Sequence, residues 1–93
     1  YPAIRRDIAV VVDNDVSAEQ LVAAVAASAP QLIRDVRIFD IYTGDRIEAG
    51  RKSVAIGLIL QETSRTLTDE DADTAMAAAI AKLEKKFAAN LRD

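Results

Sequence analysis

Alternating apolar and polar positions predict β-strands in three parts of the chain. The first, Ile4 to Val12, reads IRRDIAVVV, is rich in β-branched residues, and ends at the turn-prone Asp13-Asn14-Asp15. Its alternation predicts that one face carries Ile8, Val10 and Val12, and the other carries Asp7, Ala9 and Val11.

The second and third strands are predicted at Asp35 to Thr43 and at Ser53 to Gln61, joined by a polar loop from Gly44 to Lys52. In the second strand, Phe39 and Ile41 are large and apolar, so we expect them to face the core on the side of Arg37. This phase leaves Ile38, Asp40 and Tyr42 on the opposite face. In the third strand, the expected inward residues are Val54, Ile56, Leu58 and Leu60, and the outward ones are Ser53, Ala55, Gly57, Ile59 and Gln61.

Two segments have helical periodicity. Ser17 and Gln20 have capping-box spacing, and the stripe that follows is Leu21, Val22, Val25 and Ala29, with Pro30 ending the helix. Thr68 is the expected cap of a second helix with an acidic first turn and lysines in its last turns. Its expected core stripe is Met76, Ile80, Leu83 and Phe87, and residues Ala88 to Arg92 leave room for one short strand.

The resulting order predicts an α+β protein with a ferredoxin-like βαββαβ fold. Its four-stranded antiparallel sheet would carry both helices on one face and leave the other face open. We see no internal boundary, so residues 1–93 are expected to form a single domain. The chain begins at Tyr1 without an initiator Met, which favours a fragment of a longer chain.

The composition excludes several classes of functional site. The 93 residues contain no Cys and no His, which removes disulfides, thiol nucleophiles, catalytic triads and the commonest metal ligands. We expect no catalytic residue and no metal site, because Asp69, Glu70, Asp71 and Asp73 are explained by the start of a helix. A net charge of −3 argues against a non-specific nucleic-acid binder with a wide basic face.

The hairpin of the second and third strands is the main candidate site. There Asp40, Tyr42 and Ser53 should converge on the open face, offering a carboxylate, an aromatic ring and a hydroxyl beside small residues. This chemistry suits an unstacked nucleobase. The alternatives are ordinary solvent-facing strand residues, or a face on which Val11, Ile38 and Ile59 dock another domain.

Arg46, Arg51 and Lys52 in the connecting loop are candidates for contacting phosphates beside such a base. On the residues alone, a solvated loop is the simpler interpretation.

Several segments together resemble a known family: PAIRRDIAVVV, VRIFDIYTG, GRKSVAIGLILQ, SRTLTDED and the terminal LRD. In this order they are similar to the ferredoxin-fold anticodon-binding domain that ends the β subunit of bacterial phenylalanyl-tRNA synthetase. The resemblance covers essentially the whole chain. It implies binding of the anticodon stem-loop of phenylalanine tRNA, with Tyr42 stacking on the first anticodon base and Asp40 and Ser53 bonding to it.

The same resemblance implies a parent phenylalanine-tRNA ligase in the cytoplasm that uses ATP and Mg²⁺, with catalysis in the α subunit. This domain itself would need no cofactor. The implied protein partners are the α subunit and the remaining β-subunit domains in an α2β2 assembly, without membrane or DNA contacts. One rival is a ferredoxin-like protein-interaction or regulatory module without RNA binding. An acylphosphatase-like enzyme is disfavoured, because the acidic Asp13-Asn14-Asp15 loop would repel an acyl phosphate.

Overall fold

The computed structural model describes residues 1–92 as a sheet with two helices. The elements are β1 (Ile4–Asp13), α1 (Ala18–Ser28), β2 (Ile33–Tyr42), β3 (Arg51–Leu60), α2 (Asp69–Phe87) and β4 (Asn90–Leu91). The strands are ordered β2-β3-β1-β4, and every neighbouring pair is antiparallel. The predicted ferredoxin-like α+β fold is therefore confirmed.

Both helices begin with reciprocal caps. The Ser17 hydroxyl accepts a hydrogen bond from the backbone N–H of Gln20 at 3.1 Å, and the Gln20 side chain accepts one from the Ser17 backbone at 2.8 Å. Thr68 and Asp71 repeat this arrangement at the start of α2. Each cap satisfies backbone donors that have no partner within the helix, so the predicted helix starts are confirmed.

The core lies between the helices and one face of the sheet, which we call the covered face. From β1 and β3 it contains Ile8, Val10, Val12, Val54, Ile56, Leu58 and Leu60, as the alternation of these two strands predicts, and Ile33 joins it from β2. In α2 the fully buried residues are Ala72, Ala75, Ala79 and Leu83, whereas Met76, Ile80 and Phe87 are partly buried at the margin. The expected stripe is thus rotated, with small alanines forming most of the buried face of α2.

Strand β2 corrects the predicted phase. Ile38 pairs with Ile56 and packs against the core, and a β-bulge follows between Ile38 and Asp40. Phe39 is 53% exposed, so the expectation that it faces the core is wrong. The expectation for Ile38 is wrong as well, and Arg37 lies opposite Gly57 on the other side of the sheet, which we call the open face.

The bulge changes the alternation of β2 because its extra residue has no partner in β3. Beyond it, Asp40 lies opposite Ala55, Ile41 opposite Val54 and Tyr42 opposite Ser53. Ile41 is on the covered side as expected, yet it is 52% exposed because neither helix covers this end of an edge strand. The bulge is thus what directs Asp40 and Tyr42 to the open face.

Candidate nucleic-acid interface

The open face is organised in rows of residues that lie side by side across the strands. One row joins Asn90, Val11, Ser53 and Tyr42, and the next joins Ala9, Ala55 and Asp40. Directly opposed side chains in an antiparallel sheet have Cβ atoms about 5 Å apart. The three candidate residues Asp40, Tyr42 and Ser53 therefore occupy adjacent positions on one surface.

Arg92 covers this site, and the sequence did not single it out. Its guanidinium lies 5.5 Å from the centre of the Tyr42 ring, and its Nη1 donates a hydrogen bond to the Ser53 hydroxyl at 3.0 Å. The Arg92 backbone N–H donates to the Ala9 carbonyl at 2.7 Å, which fixes the residue beside β1. From there its side chain crosses the sheet over small residues, and Ser53 is left only 4% exposed.

Gly44 lies close to the hydroxyl end of the Tyr42 ring. A Cβ placed on Gly44 would lie 2.7 Å from the tyrosine hydroxyl, and the glycine φ of +151° is one that other residues rarely adopt. Tyr42 therefore rests against bare backbone and remains 37% exposed. A larger residue at this position would have to shift the Tyr42 ring and would be strained by the positive φ.

The three basic candidates of the hairpin have different surroundings. Arg51 has a side chain only 15% exposed, and it donates to Asp13 at 3.0 Å, to the Val11 carbonyl at 2.8 Å and to the Ala88 carbonyl at 3.2 Å. Lys52 lies opposite Val12, on the covered side of the sheet. Arg46 is exposed in the loop 43–50 that follows Tyr42. Of the three, only Arg46 is exposed, whereas the guanidinium of Arg51 is bonded to acceptors of the protein itself.

The far end of the open face carries charged pairs. Arg5 donates to Asp7 at 3.0 Å, and Arg37 donates to Asp35 at 2.8 Å. The hydrogen bond from Arg37 is the main cause that holds the pKa of Asp35 below its ordinary value. These pairs extend the polar surface from the Tyr42 row toward the start of β1.

The family of the chain is established by comparison. Residues 1–92 match the model of the ferredoxin-fold anticodon binding domain. The chain belongs to this family.

The curated relatives of this anticodon-binding domain are much longer proteins. The phenylalanine-tRNA ligase beta subunit of Methylococcus capsulatus is 47% identical over 93 residues, which cover 100% of this chain and 12% of that subunit. Its counterpart from Xanthomonas campestris is 47% identical over 92 residues, covering 99% and 12%. That of Aliivibrio fischeri is 43% identical over 93 residues, covering 100% and 12%. The domain therefore spans about 12% of the length of these relatives.

The SRTLTDED segment, one of those that carry the resemblance to the anticodon-binding domain, has a structural role. In the segment before α2, Arg65 contacts Asp71 at 2.6 and 3.2 Å, and Leu67 is buried in the core. The hydrogen bond from Arg65, followed by that from the Thr68 backbone, strongly lowers the pKa of Asp71. Capping thus accounts for Asp71, and Asp69 contacts Arg6 at 3.2 Å. Residues 1–92 contain no cluster of carboxylates arranged to hold a metal ion.

Neither helix of the described part of the anticodon-binding domain is long and apolar enough to cross a membrane.

Proposed function

We propose that this domain binds the anticodon stem-loop of phenylalanine tRNA through the open face of its sheet. In this proposal it is the recognition domain of a phenylalanine-tRNA ligase β subunit in the cytoplasm, in an α2β2 assembly. Catalysis, with its ATP and Mg²⁺, belongs to the α subunit. The curated relatives named as beta subunits of this ligase support the assignment of the parent protein.

The observation that carries the proposal is the pairing of Tyr42 with Ser53 beneath the Arg92 guanidinium. Tyr42 is 37% exposed, and its ring offers a surface on which a nucleobase can stack once the guanidinium over it has moved aside. The neighbouring Asp40 carboxylate accepts hydrogen bonds, which suits the N–H donors on the Watson–Crick edge of a guanine. Small neighbours, Ala9 and Ala55, leave room for the base to lie close to the sheet.

Binding of the base requires Arg92 to move. Because Ser53 is 4% exposed under the guanidinium, a base that bonds to its hydroxyl displaces Arg92 from the ring. The guanidinium is partly exposed, and the displaced cation is then free to contact a phosphate of the loop. The same residue would thus protect the empty site and contribute to RNA affinity once the site is filled.

The first test is a titration of the chain with the anticodon stem-loop, comparing Tyr42→Ala with Tyr42→Phe. Loss of one base stack is expected to weaken binding by about 1–3 kcal/mol for Tyr42→Ala, whereas Tyr42→Phe keeps the ring and most of the affinity. Tyr1→Ala is the matched control, because Tyr1 is also exposed but lies at the start of the chain. Equal affinities for the wild type and the three variants would refute the stacking role of Tyr42.

Selectivity provides a second readout. We expect the wild-type chain to prefer a stem-loop with guanine at the first anticodon position over one with adenine there, and Asp40→Ala to reduce this preference. A module that binds only proteins would show no such preference.

A further inference from the structure

Phe39 is an exposed aromatic residue that lies outside the hydrophobic core. Its ring is 53% exposed at the bulge of β2, and the Arg5 guanidinium lies 5.3 Å from the ring centre. Arg5 is on the open face, since its Nη2 lies 3.3 Å from the position of a Cβ on Gly57. Phe39 therefore presents its ring to the same face as Tyr42.

The two aromatic residues share one feature of their surroundings. Each ring lies under an arginine, at 5.3 Å for Phe39 with Arg5 and at 5.5 Å for Tyr42 with Arg92. They are three residues apart on one strand, a separation of about 10 Å at the usual rise of a strand. The open face thus carries two separate aromatic–arginine pairs.

We propose that Phe39 and Arg5 form a second stacking position, for an unpaired nucleobase next to the one bound by Tyr42. This inference rests on the proposed function, and it adds to it a second base and two further residues. The bulge has a role in it, because the extra residue turns Phe39 onto the open face while keeping Asp40 and Tyr42 there.

The charge of the open face is less unfavourable to a nucleic acid than that of the chain as a whole. Arg5, Arg37 and Arg92 balance Asp7, Asp35 and Asp40 on the open face, whereas the whole chain has a net charge of −3. The Arg5–Asp7 pair is exposed, with 59% and 50% of the two side chains accessible, and exposed ion pairs are weak. Arg5 can therefore exchange its aspartate for a phosphate beside the stacked base.

The experiment is a binding titration of the chain with the anticodon stem-loop of phenylalanine tRNA. Phe39→Ala is expected to weaken binding by about 5- to 150-fold, the effect of losing one base stack. Ile41→Ala is the matched control, because Ile41 is 52% exposed on the same strand but faces the other side. Phe39→Leu keeps an apolar side chain without the ring, and it should lose affinity like the alanine variant while remaining folded.

Stem-loops with a single abasic nucleotide identify the base on each ring. The abasic position that abolishes the effect of Phe39→Ala should differ from the one that abolishes the effect of Tyr42→Ala. If the two rings hold different bases, the fold-losses of the single variants should multiply in the double variant to within about twofold.

The outcomes separate this inference from the proposed function. If Tyr42→Ala weakens binding and Phe39→Ala does not, the second stacking position is wrong and the proposed function stands. If neither variant changes the affinity, or if the wild-type chain does not bind, both are wrong. A loss for Phe39→Ala that persists with every abasic stem-loop would also overturn the inference, because Phe39 would then act without stacking on a base.

Discussion

The covered and open faces of β3 differ in the size and burial of their side chains. Val54, Ile56, Leu58 and Leu60 are 0% exposed against the helices. The open face of the same strand has Ser53, Ala55, Gly57 and Ile59, which bury little apolar volume and leave space above the sheet. One strand therefore supplies stability on one face and a shallow surface on the other, so substitutions on the two faces should change different properties.

The largest expected effect is on the covered face. Leu58→Ala should lower the free energy of unfolding by about 2–5 kcal/mol, because it removes buried methyl groups and leaves a cavity in a packed core. Ile59→Ala, the neighbouring change on the open face, should cost less than about half of that, since Ile59 is only partly buried. Urea unfolding of both variants measures the difference, and equal losses would contradict the division between the faces.

The covered face is also the part of the fold that the sequence predicts best. Successive side chains of β1 and β3 point to opposite faces of the sheet, and the two strands pair without a break from Ile4–Leu60 to Asp13–Arg51. With such alternation, the apolar positions alone determine which side faces the core. The capping boxes at Ser17 and Thr68 are equally local, and the sequence places them correctly.

The edge strand β2 could not be predicted in the same way. Its register shifts between Ile33 and Asp35 and again between Ile38 and Asp40, and each extra residue changes the alternation. A pattern of apolar and polar residues contains no mark for a bulge. Strict alternation that points Phe39 toward the core therefore assigns Ile38 to the wrong face. Asp40 and Tyr42 nevertheless lie on the open face as expected. The extra residue at the bulge shifts the alternation by one position, so beyond Phe39 it agrees with the alternation that was expected.

Arg92 illustrates a second limit of sequence reasoning. It is 39 residues from Ser53, and it reaches the hydroxyl only because the chain turns at Ala88, with a left-handed φ of 52°, and then pairs with β1. No local spacing encodes such a contact. The available signals were its place at the end of the short strand predicted within Ala88 to Arg92 and its presence in the terminal LRD segment.

The second prediction concerns the open face. Ser53→Ala removes the hydroxyl that is proposed to bond to the base, and the expected loss of RNA affinity is about 0.5–1.5 kcal/mol, the contribution of a neutral hydrogen bond. The stability should change by less than this loss, because Arg92 is partly exposed and water can replace its partner. A combined titration and urea unfolding experiment tests both statements. An unfolding loss as large as that of Leu58→Ala would show that Ser53 belongs energetically to the core.

The smallest expected effect is a dependence of stability on pH that arises from two carboxyl groups outside β3. The pKa of Asp71 is lowered first by its hydrogen bond from Arg65 and then by the Thr68 backbone, and that of Asp35 is lowered first by Arg37. A carboxyl whose pKa is lower in the folded state stabilises the fold above the pKa of the unfolded state, about 4. That stability is lost as the pH falls through the folded pKa. Urea unfolding from pH 6 to pH 2 should therefore show decreasing stability below about pH 5.

Replacing either arginine separates the two contributions. Arg65→Gln should make the loss of stability at low pH smaller than Arg37→Gln does. The reason is that the pKa of Asp71 is shifted strongly and a capping box depends on its charged form. All of the groups are solvent-accessible, so both effects should weaken as salt is added. If Arg37→Gln reduced the pH dependence more than Arg65→Gln, the ion pair on the open face would be the stronger one. Arg37 would then be less free to exchange Asp35 for a phosphate of bound RNA.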